Sequence, residues 1–113
     1  MKRLADMVDK IRLVKELKQK LIDNFGDNIV HVILFGSQAT GTANEYSDYD
    51  VLIVLKNNYT WQFEKQIYNV CCDMEIDYEI YLDIIIISQA EIGTSIRGKQ
   101  PVILNSLTNG IYA

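Results

Sequence analysis

Leu34-Phe35-Gly36-Ser37, ten further residues, then Asp48-Tyr49-Asp50-Val51-Leu52-Ile53-Val54-Leu55 is the most informative segment of the chain. Ile29 to Phe35 is almost wholly apolar and rich in β-branched residues, which predicts a buried strand. Gly36 to Ser47 is small and polar, so it reads as a turn or loop with room for one helical turn. Asp48 to Leu55 is the second strand. Side chains alternate along a strand, so Asp48 and Asp50 point the same way. Two carboxylates on one face repel each other, and either one takes a proton or a cation holds both ionised. Hard carboxylate oxygens suit Mg²⁺, which completes its shell with water and substrate phosphates.

Working outward, residues 4 to 25 carry apolar side chains at spacings of three and four, an amphipathic helix that Gly26-Asp27-Asn28 ends. Residues 60 to 74 form a second helix, with Ile67, Cys71 and Met74 among its inner positions. Residues 79 to 87 form a third strand. Ser88-Gln89-Ala90-Glu91 has the pattern of a helix N-cap box. Pro101 opens a last helix that Asn109-Gly110 closes. His31, the single histidine, lies inside the first strand and reads as structural. The short link between the first two strands permits an antiparallel pair, and the long link to the third permits a parallel crossover. The expected fold is therefore α/β: one domain over residues 1–113, with a small mixed three-stranded sheet flanked by helices.

The third strand adds an outlier. Asp83 has Ile80 and Leu82 before it and four isoleucines after it, so its carboxylate needs a partner or a metal. Neighbouring strands can bring Asp83 beside Asp48 and Asp50. Three carboxylates can hold two metal ions roughly 3.5–4 Å apart, an arrangement that stabilises attacking and leaving oxygens in phosphoryl displacement. Gly36 lets backbone approach a phosphate closely, and Ser37 offers a hydroxyl. The loop has no Lys or Arg, so metal must supply most of the positive charge for a triphosphate.

Composition excludes other classes. Hydrophobic residues at 49% and charged residues at 23% rule out a disordered chain. No apolar run reaches the roughly 18 residues of a membrane span. The first residues are charged throughout, so no signal-peptide core is read, and a soluble cytoplasmic protein is expected. Cys71 and Cys72 are adjacent, which excludes a disulfide scaffold and C-x-x-C metal spacing. A net charge of −4 argues against a duplex nucleic-acid partner. The charge is uneven: residues 1–20 hold seven basic and three acidic side chains, against four basic and twelve acidic in the remainder.

Leu34-Phe35-Gly36-Ser37 with Ser47-Asp48-Tyr49-Asp50 resembles the signature of the DNA polymerase β-like nucleotidyltransferase superfamily. Leu82-Asp83-Ile84 fits the position of its third catalytic Asp, and Asn105 to Tyr112 resembles the ending of its minimal members. The resemblance implies the small nucleotidyltransferase fold. It implies that Asp48, Asp50 and Asp83 are catalytic and hold two Mg²⁺ ions, and that Gly36 and Ser37 grip the phosphates of a nucleoside triphosphate, ATP being expected. It further implies transfer of AMP to a hydroxyl of a HEPN-type toxin in a hetero-oligomer, with this chain as antitoxin. One alternative is a binding module that neutralises its partner by contact. Another is a small-molecule transferase of the aminoglycoside-modifying type. The loop departs from the family pattern Gly-Ser-Arg-x-Arg-Gly, with Gln38 and Thr40 at the arginine positions.

Overall fold

The computed structural model describes residues 2–41 and 48–113, with side chains described from Lys10 onward. The far part of the predicted loop, residues 42–47, and the apolar side chains of the first helical turns lie outside the described residues. The elements are α1 (Lys2–Phe25), β1 (Ile29–Phe35), α2 (Ser37–Thr40), β2 (Tyr49–Leu55), α3 (Trp61–Tyr78), β3 (Leu82–Ser88), α4 (Gln89–Thr94), α5 (Pro101–Asn109) and β4 (Ile111–Tyr112). They build a mixed sheet in the order β3-β2-β1-β4. β1 and β2 are antiparallel, and β2 and β3 are parallel, both pairings that the link lengths permit.

The sheet has four strands rather than the expected three. β4 pairs with β1 through Ile33–Tyr112 and Leu34–Ile111, and Ala113 N donates to Val32 O at 2.9 Å. Two residues carry no readable period, so this strand has no signature in sequence. Its geometry depends on Gly110, where a Cβ would overlap the Ile33 side chain and the Ser106 carbonyl.

Alternation divides the core in two. Val32 and Leu34 of β1, Val51 and Ile53 of β2, and Ile86 of β3 face α1 (Leu13, Val14, Leu17, Leu21) and α3 (Ile67, Cys71, Met74). Ile33, Leu52, Val54 and Ile87 face the other way, against Ile103 and Leu107 of α5 and Ile92 of α4. Each fully buried Leu or Ile contributes ~1.5–3 kcal/mol by leaving water. A one-residue bulge between Ile29 and His31 resets the phase of β1, which keeps Ile29 on the α1 side. His31 meets the Tyr112 ring edge-on at 5.0 Å, a structural role as expected.

β3 is an edge strand, and its outer polar groups are taken by side chains. Leu82 N donates to Glu75 Oε2 at 2.8 Å, Ile84 O accepts from the Tyr68 hydroxyl at 3.4 Å, and Ile86 O accepts from the Tyr59 hydroxyl at 3.0 Å. Arg97 in turn donates to Tyr59 Oη at 2.9 Å. These contacts leave less of the edge open to pairing with another chain.

Two boundaries differ from the sequence reading. α3 runs to Tyr78 rather than to residue 74, and β3 starts at Leu82 rather than at residue 79. No Gly or Pro breaks the chain after Met74. The helix ends only where Glu79 turns left-handed at φ 53°, and Ile80 N then donates back to Glu75 O. The capping box at Ser88 and Glu91 and the start of α5 at Pro101 are as predicted. No helix among the described residues is long and apolar enough to cross a membrane.

Two outcomes follow from this packing. Glu79 is the one described non-glycine residue with positive φ. Glu79→Gly should raise unfolding free energy by about 0.5–1 kcal/mol, the left-handed penalty less the entropy of a more flexible unfolded chain; chemical denaturation reads it. Burial pushes the Cys71 thiol up to about 12, whereas Cys72 is exposed. A thiol reagent at mildly alkaline pH should therefore modify Cys72 alone in the folded chain and both cysteines after denaturation.

Candidate active site

The candidate site lies where β1 ends and β2 and β3 begin. Phe35 is the register partner of Asp50, and Asp50 is the register partner of Asp83 across the parallel pair. By strand parity Asp50 and Asp83 project to the side that α4 and α5 cover further along. The described apolar cluster of that side starts at Leu52, Ile85 and Phe35, so the carboxylates stand at its margin. Asp50 is half-buried, while Asp48 and Asp83 are exposed.

Gly36 fixes the approach of the chain to this pair. It has φ 72° and ψ −158°, backbone that side-chain-bearing residues rarely adopt. A Cβ at Gly36 would also occupy the place of Asp50 Oδ2. Both constraints demand glycine, and the second does not depend on any ligand. Ser37 then opens a single helical turn. Ala39 N and Thr40 N both donate to Gly36 O, at 3.1 and 3.2 Å.

The two positions that depart from the family pattern have structural work here. The Gln38 side chain is buried, and the Thr40 hydroxyl donates to Ser37 O at 3.3 Å. A cation reaches the turn from elsewhere: Lys10 of α1 donates to Gln38 O at 3.4 Å. Nothing in the sequence pointed to Lys10, which lies 28 residues upstream and meets the loop only through helix packing.

The electrostatics centre on Asp50. Burial raises its pKa first, followed by the charge and hydrogen bond of Asp83 and then the charge of Asp48. Asp50 and Asp83 thus form the close pair, and Asp48 acts on it through its charge. Among the described residues no three His, Cys, Asp or Glu side chains close into a group that could hold a metal ion. The donor chemistry still fits a hard divalent cation: carboxylate oxygens only, with a mutual repulsion that such an ion relieves. Asp83 is exposed rather than sunk among isoleucines, because it lies near the start of an edge strand.

Residues 14–107 match the nucleotidyltransferase domain profile. The chain belongs to the nucleotidyltransferase domain family. A candidate protein adenylyltransferase of Methanocaldococcus jannaschii is 33% identical over 98 residues, covering 85% of this chain and 65% of that protein. The chain thus spans just under two thirds of that relative. A second candidate protein adenylyltransferase from the same organism is 36% identical over 76 residues, covering 67% of this chain and 77% of that protein. A crystal structure described as a candidate nucleotidyltransferase from Sulfolobus solfataricus superposes with TM-score 0.63 over 99% of this chain and 86% of its own, at 21% identity. That likeness supports the fold.

The raised Asp50 pKa fixes a sign for this nucleotidyltransferase domain. An ionised Asp50 is disfavoured in the folded chain, so stability falls as pH rises through its raised pKa. Asp50→Asn should raise the melting temperature modestly at neutral pH with chelator present. The gain should vanish in acid, where the carboxyl is protonated in folded and unfolded chains alike. A series of thermal melts against pH checks both signs.

Proposed function

We propose that this chain is a Mg²⁺-dependent nucleotidyltransferase that moves AMP from ATP to a hydroxyl of a partner protein. The observation that carries the reading is the in-register Asp50–Asp83 pair facing the Gly36 turn. The printed descriptions of the two Methanocaldococcus relatives support a protein as acceptor. The family resemblance of the motif supports a HEPN-type toxin as that protein and an antitoxin role for this chain, in the cytoplasm.

Asp50 and Asp83 would hold the metal as the close pair, and the family resemblance adds Asp48 and a second ion. A divalent ion held by these carboxylates would supply the positive charge that offsets them and the triphosphate and would polarise the α-phosphoryl group. The Gly36 turn presents the Ser37 hydroxyl, which donates to the phosphate oxygens. The acceptor oxygen forms a bond to the α-phosphorus, the bond to the bridging oxygen breaks, and pyrophosphate leaves with that electron pair. Asp83, exposed near the start of the edge strand, takes the hydroxyl proton. Asp50, half-buried and fixed opposite Phe35, sets the position of the pair.

The loop favours a second reading at lower activity. With Gln38 buried and Thr40 bonded within its own turn, neither supplies a charge to the phosphates. A chain that binds ATP weakly by itself can still neutralise its partner by contact, or gain cations from it, as arginine fingers act in other phosphoryl-transfer systems.

The test is transfer of label from α-labelled ATP, with Mg²⁺, to a co-expressed HEPN partner. Wild type should label it, and Asp50→Asn and Asp83→Asn should lower the rate by at least about a hundredfold, since they remove charged groups acting in the transition state. Loss of labelling together with loss of neutralisation, in complexes that still form, supports chemistry. Neutralisation that survives both substitutions supports contact alone.

A further inference from the structure

α3 is the crossover helix of a parallel strand pair, so it runs against β3. Its C-terminal end therefore lies at the same end of the sheet as Asp50 and Asp83, on the opposite face and separated from them by the edge strand β3. Tyr49 N donates to Tyr81 O at 2.9 Å, which ties this corner to the residue between Asp48 and Asp50. An open groove of about 360 Å³ lies here, lined by Cys72, Glu75, Ile76, Glu79, Ile80 and Tyr81.

Three features of this corner are unfavourable in the isolated chain. Ile76 is 70% exposed and Tyr81 75% exposed, an apolar surface held in water. The last turn of α3 carries Glu75 and Asp77 and no basic residue, with Glu79 just beyond, at the end where the helix dipole is negative and cations are favoured. Glu79 itself occupies left-handed backbone that glycine or asparagine would fill at lower cost. Glu75 is partly occupied by Leu82 N, and it holds the wall of the groove against β3. A ligand that covers Ile76 and Tyr81 and brings a cation to Glu79 and the helix end relieves the first two together.

We infer that this groove docks the acceptor protein through a segment that combines an apolar side chain with flanking Lys or Arg, from which the acceptor passes round the β3 edge to bring its hydroxyl to the Asp50–Asp83 pair on the other face. The charge of the lining and the apolar floor argue for that occupant, and Tyr81 stands two residues before Asp83 on the same edge. The inference rests on the transfer reading above for its hydroxyl, but docking itself needs neither nucleotide nor metal.

The probes are two synthetic peptides of equal length, each with one tyrosine and one leucine, flanked by lysines in one and by glutamates in the other. Fluorescence anisotropy without nucleotide or metal should show the lysine peptide binding at least about tenfold more tightly. The double variant Ile76→Ser, Glu79→Gly should lose that preference by a similar factor while keeping its melting temperature, because Glu79→Gly removes a left-handed glutamate. A bulky maleimide on Cys72 should also block the lysine peptide. Equal affinities for the two peptides, or wild-type affinity in the double variant, overturn the docking. So does a concentration-dependent dimer in sedimentation that Ile76→Ser makes monomeric, since a second copy then covers the groove. Lysine-peptide binding with no AMP transfer leaves the docking standing and counts against the transfer reading alone.

Discussion

Two carboxylates face each other across a parallel strand pair, and the rest of the molecule holds them there. The repulsion between Asp50 and Asp83 is unfavourable in water and worse where Asp50 is half-buried. The register of β2 with β3 sets their separation, and that register depends on core packing. Val51 and Ile53 are fixed against α1 and α3, so a slip of one residue would carry them to the opposite face and the aspartates into the core. Core and site are two faces of one alternation.

The same constraint explains the turn before β2. Gly36 passes so near the Asp50 carboxylate that no side chain fits, and its backbone is one that glycine adopts without strain. A glycine at this place in a nucleotide-handling loop is readily attributed to phosphate approach. Here the protein's own carboxylate already demands it. The loop is consequently shaped before any nucleotide arrives, and Lys10 of α1 helps to hold that shape through the Gln38 carbonyl.

Stability and accessibility divide the crossover helix α3. Its inner face, Ile67, Cys71 and Met74, is fully committed to the core. Its outer end places acids at the negative pole of the helix and leaves isoleucine and tyrosine in solvent. Tyr59 and Tyr68 meanwhile satisfy outward carbonyls of β3, so the edge beside the site is sealed along much of its length. Docking at this edge is left to side-chain chemistry rather than to strand addition.

Periodicity and local chemistry made most of this legible in sequence. The apolar run Ile29–Phe35, the alternation after Asp48, the cap at Ser88, Pro101 and the family-like Gly36-Ser37 spacing each act within a few residues, so a sequence window contains their cause. Asp83 was legible as an anomaly but for a partly mistaken reason: it was expected among isoleucines, and the edge position of β3 exposes it. Tertiary structure decided the rest. β4 exists because Gly110 lets two residues reach β1, α3 continues to Tyr78 because Glu75 closes its end onto β3, and Lys10 meets the loop because α1 packs across the sheet. Those contacts join residues far apart in the chain, and no local pattern carries them. Local residue chemistry marked the residues that could form the site; packing settled that Asp50 and Asp83 stand together while Asp48 acts from the strand's threshold.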